Sequence, residues 1–318
     1  MLWIKAKGGL GNRMLSVASG ILYANATGRT FVIDWRDGVY ADKGINAYHR
    51  LFKASLKQEP ILDDVGKEIG KTIPAVWHGK LNMSVSEMIS QYFSGEHSNP
   101  LIYRKLTAPL SLVENGNGSI EVFWAYTSKL GRIKKFLPKT PRKNSNELLR
   151  GVFNSHFIPC DAVEQQLHGS LFFRDNQKVL GVHIRYTDLK VPLERLLKRI
   201  RRCMAQGKYE HIFLATDNFT IQEQLKSEFS SVFTFDKRFS VNSGQLHSDQ
   251  SYDLKEQDSQ AALLDMYALA KCDGLVYSSR SSFSRVSRIL GEFKVEDTFD
   301  IDRYNFRIRL KTFIQEYL

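Results

Sequence analysis

Residues 2–34, LWIKAKGGLGNRMLSVASGILYANATGRTFVID, decide the fold class of this chain. An apolar run, Leu2–Ala6, leads through the glycine-rich turn 7–13 into a segment whose apolar residues recur at helical spacing. The segment stops just before Gly28, and glycine suits the position past a helix end. A second apolar run follows at Thr30–Asp34. Strand, turn, helix and strand within about 30 residues form a βαβ unit, which predicts a parallel sheet.

A second alternating series fills the other half of the chain. Its predicted strands are 178–184, 211–215, 232–235 and 274–277, and its predicted helices are 193–204, 221–229, 258–271 and 282–290. Between the two series we predict a strand at 120–124, a polar linker at 137–145 and a helix at 161–173. We therefore predict an α/β protein with two Rossmann-like domains facing a cleft. The domains are residues 1–160 and 161–318, and the last helix is able to return to the first domain.

Composition and charge narrow the class of partner. The 318 residues are 42% hydrophobic and 25% charged, which excludes a disordered chain, and three cysteines exclude a disulfide scaffold. The formal net charge of +11 favours an anionic partner, either nucleic acid, an anionic membrane or a phosphorylated small molecule. The densest basic cluster, Arg195–Arg202, lies on a predicted amphipathic helix without any nucleic-acid-binding motif beside it. No export signal or membrane-spanning run is visible, so we expect a cytoplasmic protein.

The glycine-rich turn indicates that something anionic approaches the backbone. It offers three glycines and two polar residues at the start of a predicted helix, where free N–H groups attract negative charge. A dinucleotide fingerprint with Asp34 as the ribose-binding acid is the weaker interpretation, because Met14 stands where a small residue is needed. The residues in question are Gly8, Gly9, Gly11, Asn12 and Arg13.

Ionisable side chains end the most apolar predicted strand, 178–184. His183 and Arg185 share one face of it, and Asp188 follows three residues later. An arginine at the carboxyl end of a strand can hold a phosphate through two parallel N–H bonds. We favour this role over an Arg185–Asp188 ion pair that only fixes the loop, because ionisable groups follow the apolar strand directly.

Three further segments carry candidate ligand-binding groups. Asp217 follows a predicted strand, so its carboxylate should point to the same edge as Arg185. The turn 278–285 offers five serines around two arginines before a helix, whereas capping needs only one serine, and this favours a phosphate nest. Asp265 interrupts an apolar helix, where an unpaired carboxylate is costly. It therefore either pairs with an arginine or lysine or accepts hydrogen bonds from a ligand.

Together these segments resemble the superfamily of GDP-fucose-dependent fucosyltransferases, which comprises α1,6, α1,2 and protein O-fucosyltransferases. The bacterial nodulation-factor α1,6 type is nearest in size. The resemblance covers both ends and the second half of the chain and leaves about 36–160 unmatched. The matching residues are Gly8, Gly9, Gly11 and Asn12 in the N-terminal pattern, His183, Arg185, Thr187 and Asp188 in the His-x-Arg-Arg-Thr-Asp signature, Ala215, Thr216 and Asp217 after a strand, and Asp265, Asp273, Ser281 and Arg285 in the last motif.

The resemblance implies a GT-B-type fold and a metal-independent transferase that inverts the anomeric carbon. Its donor is GDP-fucose, its acceptor is an oligosaccharide, and it needs no cofactor. The resemblance implies that Arg185 neutralises the β-phosphate of departing GDP, a role usual for a preorganised cation. The implied donor-binding residues are the His183 backbone, Asp217 and Asp265 for guanosine, Ser281, Ser282 and Arg285 for pyrophosphate, and Gly9, Gly11, Asn12 and Arg13 from the N-terminal turn.

Two positions depart from the family signature and leave the linkage open. Tyr186 stands where the family has a second arginine, and Leu189 stands where it has a lysine. An inverting transfer needs a general base, for which Asp188 and Glu194 are the candidates. A carboxylate at position 194 also suits the start of a helix for dipole reasons alone.

The first domain is expected to bind the acceptor, a cell-envelope or secreted glycan. The expected sugar platforms, with core packing as the alternative, are Trp35, Tyr40, Tyr48, Trp77 and Tyr92. The basic surface is expected to dock the enzyme peripherally at an anionic inner membrane. The alternatives are transfer from another GDP-sugar, a nucleotide-binding module without catalysis, and a nucleic-acid binder.

Overall fold

Two compact units make up the chain, and each has its own parallel sheet flanked by helices. The computed structural model describes residues 1–53, 71–92, 100–111, 119–137, 144–170, 177–186, 191–239 and 255–317. The first unit comprises Met1–Ile158 with Phe313–Leu318, and the second comprises Pro159–Thr312. The predicted division lay after residue 160. The predicted α/β class with two Rossmann-like sheets is confirmed.

A four-stranded sheet in the order β2-β1-β4-β3 organises the first unit, and every pairing in it is parallel. Its strands are β1 (Leu2–Lys5), β2 (Phe31–Asp34), β3 (Thr72–Ile73) and β4 (Ile120–Phe123). Its described α-helices are α1 (Leu10–Ala26), α2 (Ala47–Leu51), α3 (Val85–Tyr92), α4 (Pro100–Lys105), α5 (Leu130–Ile133) and α6 (Ser145–His156). The predicted βαβ unit is β1-α1-β2. Its helix ends at Ala26, and the backbone of Gly28, two residues later, lies in the left-handed region.

A five-stranded sheet in the order β7-β6-β5-β8-β9 organises the second unit, again with all pairings parallel. Its strands are β5 (Val179–Ile184), β6 (His211–Thr216), β7 (Val232–Phe233), β8 (Gly274–Tyr277) and β9 (Thr298–Asp300). Its described α-helices are α7 (Asp161–Gly169), α8 (Leu193–Ala205), α9 (Phe219–Glu228), α10 (Lys255–Lys271) and α11 (Ser282–Leu290), and the last helix, α12 (Phe306–Tyr317), runs from this unit into the first.

Burial on both faces explains why the central strands are continuous apolar runs. Every residue of β5 is buried, and helices cover both faces of such parallel sheets. Helix α8 turns Leu196, Leu197 and Ile200 into this core and keeps the predicted basic face outside, with Arg195 and Lys198 exposed. Its amphipathic pattern is therefore read correctly from the sequence.

Short elements account for most differences from the predicted secondary structure. Strands β3 and β9 are absent from the prediction because two or three residues are too few to display a period of two. Helix α7 ends at Gly169 rather than at residue 173. The predicted linker 137–145 lies mostly outside the described residues, and its last residue already begins α6, whose Asn144 and Glu147 form a capping box.

Close contact between α1 and the sheet makes Gly20 sensitive to added volume. A Cβ at Gly20 would lie 2.7 Å from Ile4 Cδ1 and 3.1 Å from Phe123 Cδ1, whereas a Cβ at Gly151 in α6 would meet nothing within 4 Å. Alanine raises helix propensity at both positions by about 1 kcal/mol, but overpacking at Gly20 costs about 1–3 kcal/mol. We expect Gly151→Ala to stabilise the protein and Gly20→Ala to be less stable than Gly151→Ala by roughly that overpacking cost. Urea unfolding of both variants measures the difference, and equal stabilities would contradict the packing.

Candidate functional site

The carboxyl edge of the second sheet collects the predicted site residues. Strand β5 lies between β6 and β8, in parallel register with both. Arg185 follows β5, Asp217 follows β6, and the serine-rich turn 278–281 follows β8. Because carboxyl ends of parallel strands meet at one edge, these groups are brought together, as the sequence predicts.

Arg185 is a half-buried cation at the centre of this edge. Its Nε lies 4.0 Å from Asp217 Oδ2, and each of these two side chains is 23% exposed. The other oxygen of Asp217 accepts a hydrogen bond of 2.7 Å from the backbone N–H of Tyr186. Asp217 therefore fixes the backbone after β5 and holds a negative charge beside the guanidinium. Asp188 lies outside the described residues, so its predicted roles stay predictions.

The serine-rich turn ends at an uncapped helix N-terminus. Ser281 is the N-cap residue of α11, yet its side chain makes no capping hydrogen bond. Its carbonyl accepts from the Arg285 backbone N–H at 3.1 Å, and the first turn of the helix contains no acidic residue. Such a terminus attracts anions through its unpaired N–H groups and its dipole. Ser281, Ser282 and Arg285 thus remain candidates for phosphate contact.

Two aspartates at the end of β9 fix the serine-rich turn through hydrogen bonds. Asp300 Oδ1 accepts a 3.0 Å hydrogen bond from the Ser279 backbone N–H. Asp302 Oδ2 accepts a 2.5 Å hydrogen bond from Ser278 Oγ and lies 3.4 Å from Arg280 Nε. Sequence reasoning missed both aspartates because they lie at the end of β9, a strand too short to be predicted from its periodicity.

Asp265 in α10 forms a buried ion pair, which offsets the free-energy cost of burying its carboxylate. Asp265 is almost fully buried and pairs with Lys237, which follows β7. Burial raises the pKa of this carboxyl group, and the charge of Lys237 opposes that rise. Its Oδ1 has no hydrogen-bond partner among the described residues. The first predicted alternative, pairing with a lysine, is therefore observed, and contact of the other oxygen with a ligand stays a prediction.

His183 is a neutral core residue beside the same edge. Its ring stacks on Phe283 of α11, with ring centroids 4.9 Å apart and an interplanar angle of 16°. Burial lowers the pKa of His183 to about 3, and the nearby charges of Arg185 and Lys237 act in the same direction. The side chain therefore links β5 to α11 by packing, and contact of the His183 backbone with guanosine stays a prediction.

Glu194, the second candidate base, is exposed in the first turn of α8. Arg201 lies two turns along the helix and pairs with Glu228 of α9 at 2.6 Å. That hydrogen bond raises the pKa of Arg201, and the negative charge of Glu194 adds a smaller contribution in the same direction. Its surroundings match the helix-dipole explanation. Its role as a base stays a prediction.

The N-terminal turn forms as predicted, but Arg13 faces inward. Gly8 has φ +78°, and a Cβ there would lie 2.9 Å from Asn12 Nδ2. The Arg13 side chain is fully buried, pairs with Asp37 at 2.6 Å and donates to the Gly8 carbonyl at 2.7 Å. This guanidinium shapes the turn from inside. The predicted donor contact is left to the backbone of Gly9 and Gly11 and to Asn12.

Asp34 is saturated by protein groups, which contradicts the dinucleotide alternative. Its Oδ2 accepts from Trp3 Nε1 at 2.9 Å and from Lys5 Nζ at 2.8 Å, and its Oδ1 accepts from Arg36 Nε at 3.0 Å. These positive charges hold the pKa of Asp34 below its usual range in spite of burial. A carboxylate bound in this way has no capacity left for a ribose.

Four of the five expected sugar platforms are core residues, so the prediction for Trp35, Tyr40, Tyr48 and Trp77 is wrong, whereas Tyr92 is 43% exposed and its role stays a prediction. Trp35, Tyr48 and Trp77 are fully buried; Tyr48 donates to the His156 carbonyl, and Trp77 Nε1 donates to the Leu106 carbonyl at 2.8 Å. Tyr40 is also buried, against Arg13. The contacts that bury these rings come from distant segments, which the sequence pattern did not reveal.

Comparison with known proteins gives the family. Residues 143–311 match the sequence model for Nodulation protein Z (NodZ), and residues 1–42 match that for xyloglucan fucosyltransferase. Because the first match spans more than half of the 318 residues, this chain belongs to the NodZ family. The resemblance inferred from the motifs is confirmed at the level of the family.

Relatives match along nearly the whole chain. Nodulation protein Z of Bradyrhizobium diazoefficiens is 23% identical over 316 residues, which cover 92% of this chain and 79% of that protein. Nodulation protein Z of Azorhizobium caulinodans is 25% identical over 329 residues, covering 92% and 89%.

Solved structures share the fold. The crystal structure of NodZ alpha-1,6-fucosyltransferase soaked with GDP-fucose has a TM-score of 0.62 at 24% identity and covers 93% of this chain and 96% of its own. An Arabidopsis thaliana FUT1 mutant in complex with GDP has a TM-score of 0.55 at 18% identity, covering 92% and 68%.

His183 should make stability depend on pH. Because its pKa is lowered in the folded state, only the unfolded chain binds a proton between about pH 3 and pH 6.5, so stability is full above pH 6.5 and falls with acidification. Between pH 7 and pH 5 this residue should lower the free energy of unfolding of the wild-type protein by about 2 kcal/mol. We expect His183→Gln to abolish that part of the pH dependence. Urea unfolding at both pH values measures this. The exposed His78→Gln is the control, and an equal change in both variants would contradict the assignment.

Proposed function

We propose that this protein is a fucosyltransferase that moves L-fucose from GDP-β-L-fucose to a glycan hydroxyl. The observation that carries the proposal is Arg185, a half-buried cation beside an uncapped helix N-terminus at the carboxyl edge of a parallel sheet. Membership of the NodZ family supports it, as do the solved relatives that are described as α-1,6-fucosyltransferases with GDP or GDP-fucose.

The diphosphate end of the donor is assigned to Arg185 and α11. Cleavage of the bond between the anomeric carbon and its oxygen leaves negative charge on the β-phosphate, and a preorganised guanidinium stabilises that charge. Ser281, Ser282 and Arg285 add hydroxyl, backbone and cationic contacts at the helix terminus. These groups would perform the charge neutralisation that a metal supplies elsewhere, so the transfer is proposed to be metal-independent.

The guanosine end is proposed to contact Asp265. Its Oδ1 is buried and lacks a partner among the described residues, so N–H donors of a base would satisfy it. The charge of Lys237 opposes the rise that burial causes in the pKa of this carboxyl group, which favours the ionised form for that contact. The His183 backbone and Asp217 complete the predicted set.

Inversion requires the acceptor hydroxyl to attack the anomeric carbon from the face opposite the diphosphate. The proton of that hydroxyl goes to a general base, for which Asp188 and Glu194 remain the candidates. The first unit is proposed to bind the acceptor and the second unit to bind the donor, and contact of Gly9, Gly11 and Asn12 with the donor stays a prediction. The acceptor is proposed to be a cell-envelope or secreted glycan made in the cytoplasm. The alternatives are transfer from another GDP-sugar and nucleotide binding without catalysis.

A panel of nucleotides tests donor class by thermal shift. We expect GDP and GDP-fucose to raise the unfolding temperature, because a ligand at 100 times its Kd stabilises a fold by about 2.7 kcal/mol. UDP and NAD should give no shift, and GDP-mannose measures sugar selectivity. Stabilisation by NAD without GDP would overturn the proposal.

Substitution of Arg185 separates catalysis from binding. We expect Arg185→Gln to lower the rate of fucose transfer about 10²–10³-fold, because it removes stabilisation of the leaving diphosphate. Calorimetry with GDP should show a much smaller loss of affinity, since the helix terminus and the guanosine contacts remain. Arg195→Gln, an exposed arginine in α8, is the control and should transfer fucose normally. Loss of GDP affinity as large as the loss of rate would instead favour a binding module.

A further inference from the structure

The last helix, α12, carries an apolar face that stays largely exposed in the described part of the protein. None of its residues is buried. Its large apolar side chains recur every three or four residues, which places them on one face of the helix, and their exposed fractions range from 37% to 73%. These side chains belong to Phe306, Leu310, Phe313, Ile314 and Tyr317.

Basic side chains flank this face on both sides. Arg307 and Lys311 are one turn apart along one border, and Arg309 stands at the other. All three are exposed. Glu316 is the only acidic residue in the helix, so the exposed side of α12 is both apolar and cationic.

Contacts at its C-terminal end attach α12 to α5 and the residue before it. Lys129 Nζ donates a 2.5 Å hydrogen bond to the Gln315 carbonyl. The ring of Tyr317 packs over Gly131 of α5, where an added Cβ would lie 2.8 Å from the ring. Ile308 and Thr312, on the opposite side of the helix, are only partly exposed. Tyr317, at the C-terminal end of the apolar face, therefore packs on α5, whereas Phe306, Leu310 and Phe313 remain 44% to 73% exposed.

We propose that α12 docks this protein on an anionic membrane surface. Phe306, Leu310 and Phe313 would enter the boundary between headgroups and acyl chains, and the flanking arginines and lysine would meet lipid phosphates. The helix lies on the bilayer, since twelve residues span only about 18 Å and no described helix is long and apolar enough to cross a membrane. The inference does not depend on the proposed sugar transfer.

Charge selects this partner over the other candidates. Pairing of two copies through this face would bring basic borders together with a single glutamate per helix to offset them. Helix α8, the densest basic segment in the sequence, carries none of the exposed large apolar side chains. Its Arg201 is already paired with Glu228. An interfacial helix needs both an apolar anchor and basic flanks, and α12 has both.

Vesicle co-sedimentation of the full chain tests the proposal without donor or acceptor. We expect binding to vesicles of phosphatidylcholine and phosphatidylglycerol in equal parts, and much weaker binding to phosphatidylcholine alone. Each of two double variants, Phe306→Ser with Phe313→Ser and Arg307→Gln with Lys311→Gln, should weaken binding at least about tenfold. The control, Arg195→Gln with Lys198→Gln in α8, removes the same charge and should weaken binding no more than about twofold.

Three outcomes would overturn the proposal. They are binding that neutral vesicles share, an equal loss in the α8 control, and a wild-type chain that binds neither kind of vesicle. Sedimentation equilibrium tests whether a second copy of the chain binds this face instead. A dimer that the Phe306→Ser and Phe313→Ser variant abolishes would assign the face to that second copy. Thermal unfolding checks that each variant folds, and the charge variant touches no packed side chain, so it tests the proposal even if the apolar variant is unstable.

Discussion

The parallel pairing of β5 between β6 and β8 is the constraint on which the site depends. Its register sets His183 opposite Ala215 and brings Arg185, Asp217 and the serine-rich turn to one edge. A slip of one residue would turn the side chains of β5 to the opposite face and carry Arg185 away from its neighbours. The buried apolar side chains of the strand fix that register, so the core of the second unit is what positions its polar edge.

Two cations of the second unit are each paired with a carboxylate, which allows them to lie in largely buried positions. Arg185 faces Asp217, and Lys237 faces Asp265. A buried charge without a partner is costly, and a pair with an open oxygen or a loose 4.0 Å separation can still admit a ligand. The corresponding turn of the first unit differs, because Arg13 and Asp34 are saturated by their own neighbours and act on the shape of the turn.

Two helices that carry much of the positive charge of the chain, α8 and α12, differ in the surface that surrounds their basic residues. Helix α8 spreads basic residues over a face backed by core, which favours solvation. Helix α12 has fewer basic residues, and they lie beside exposed aromatic and aliphatic side chains. This combination is the one that an interfacial helix needs. Net charge alone predicts an anionic partner class, and the location of exposed apolar surface is what leads us to propose α12 as the element that meets it.

Local pattern in the sequence determined the two βα series, the parallel sheets and the polar residues at strand ends, because periodicity and position along a strand are properties of neighbouring residues. Tertiary structure alone decided that Lys237 partners Asp265, that Asp300 and Asp302 support the serine turn, and that Phe283 stacks on His183. It also decided that Trp35, Tyr48 and Trp77 lie in the core. Those facts depend on contacts between segments far apart in the chain, where burial and pairing are set by packing and no local period records them.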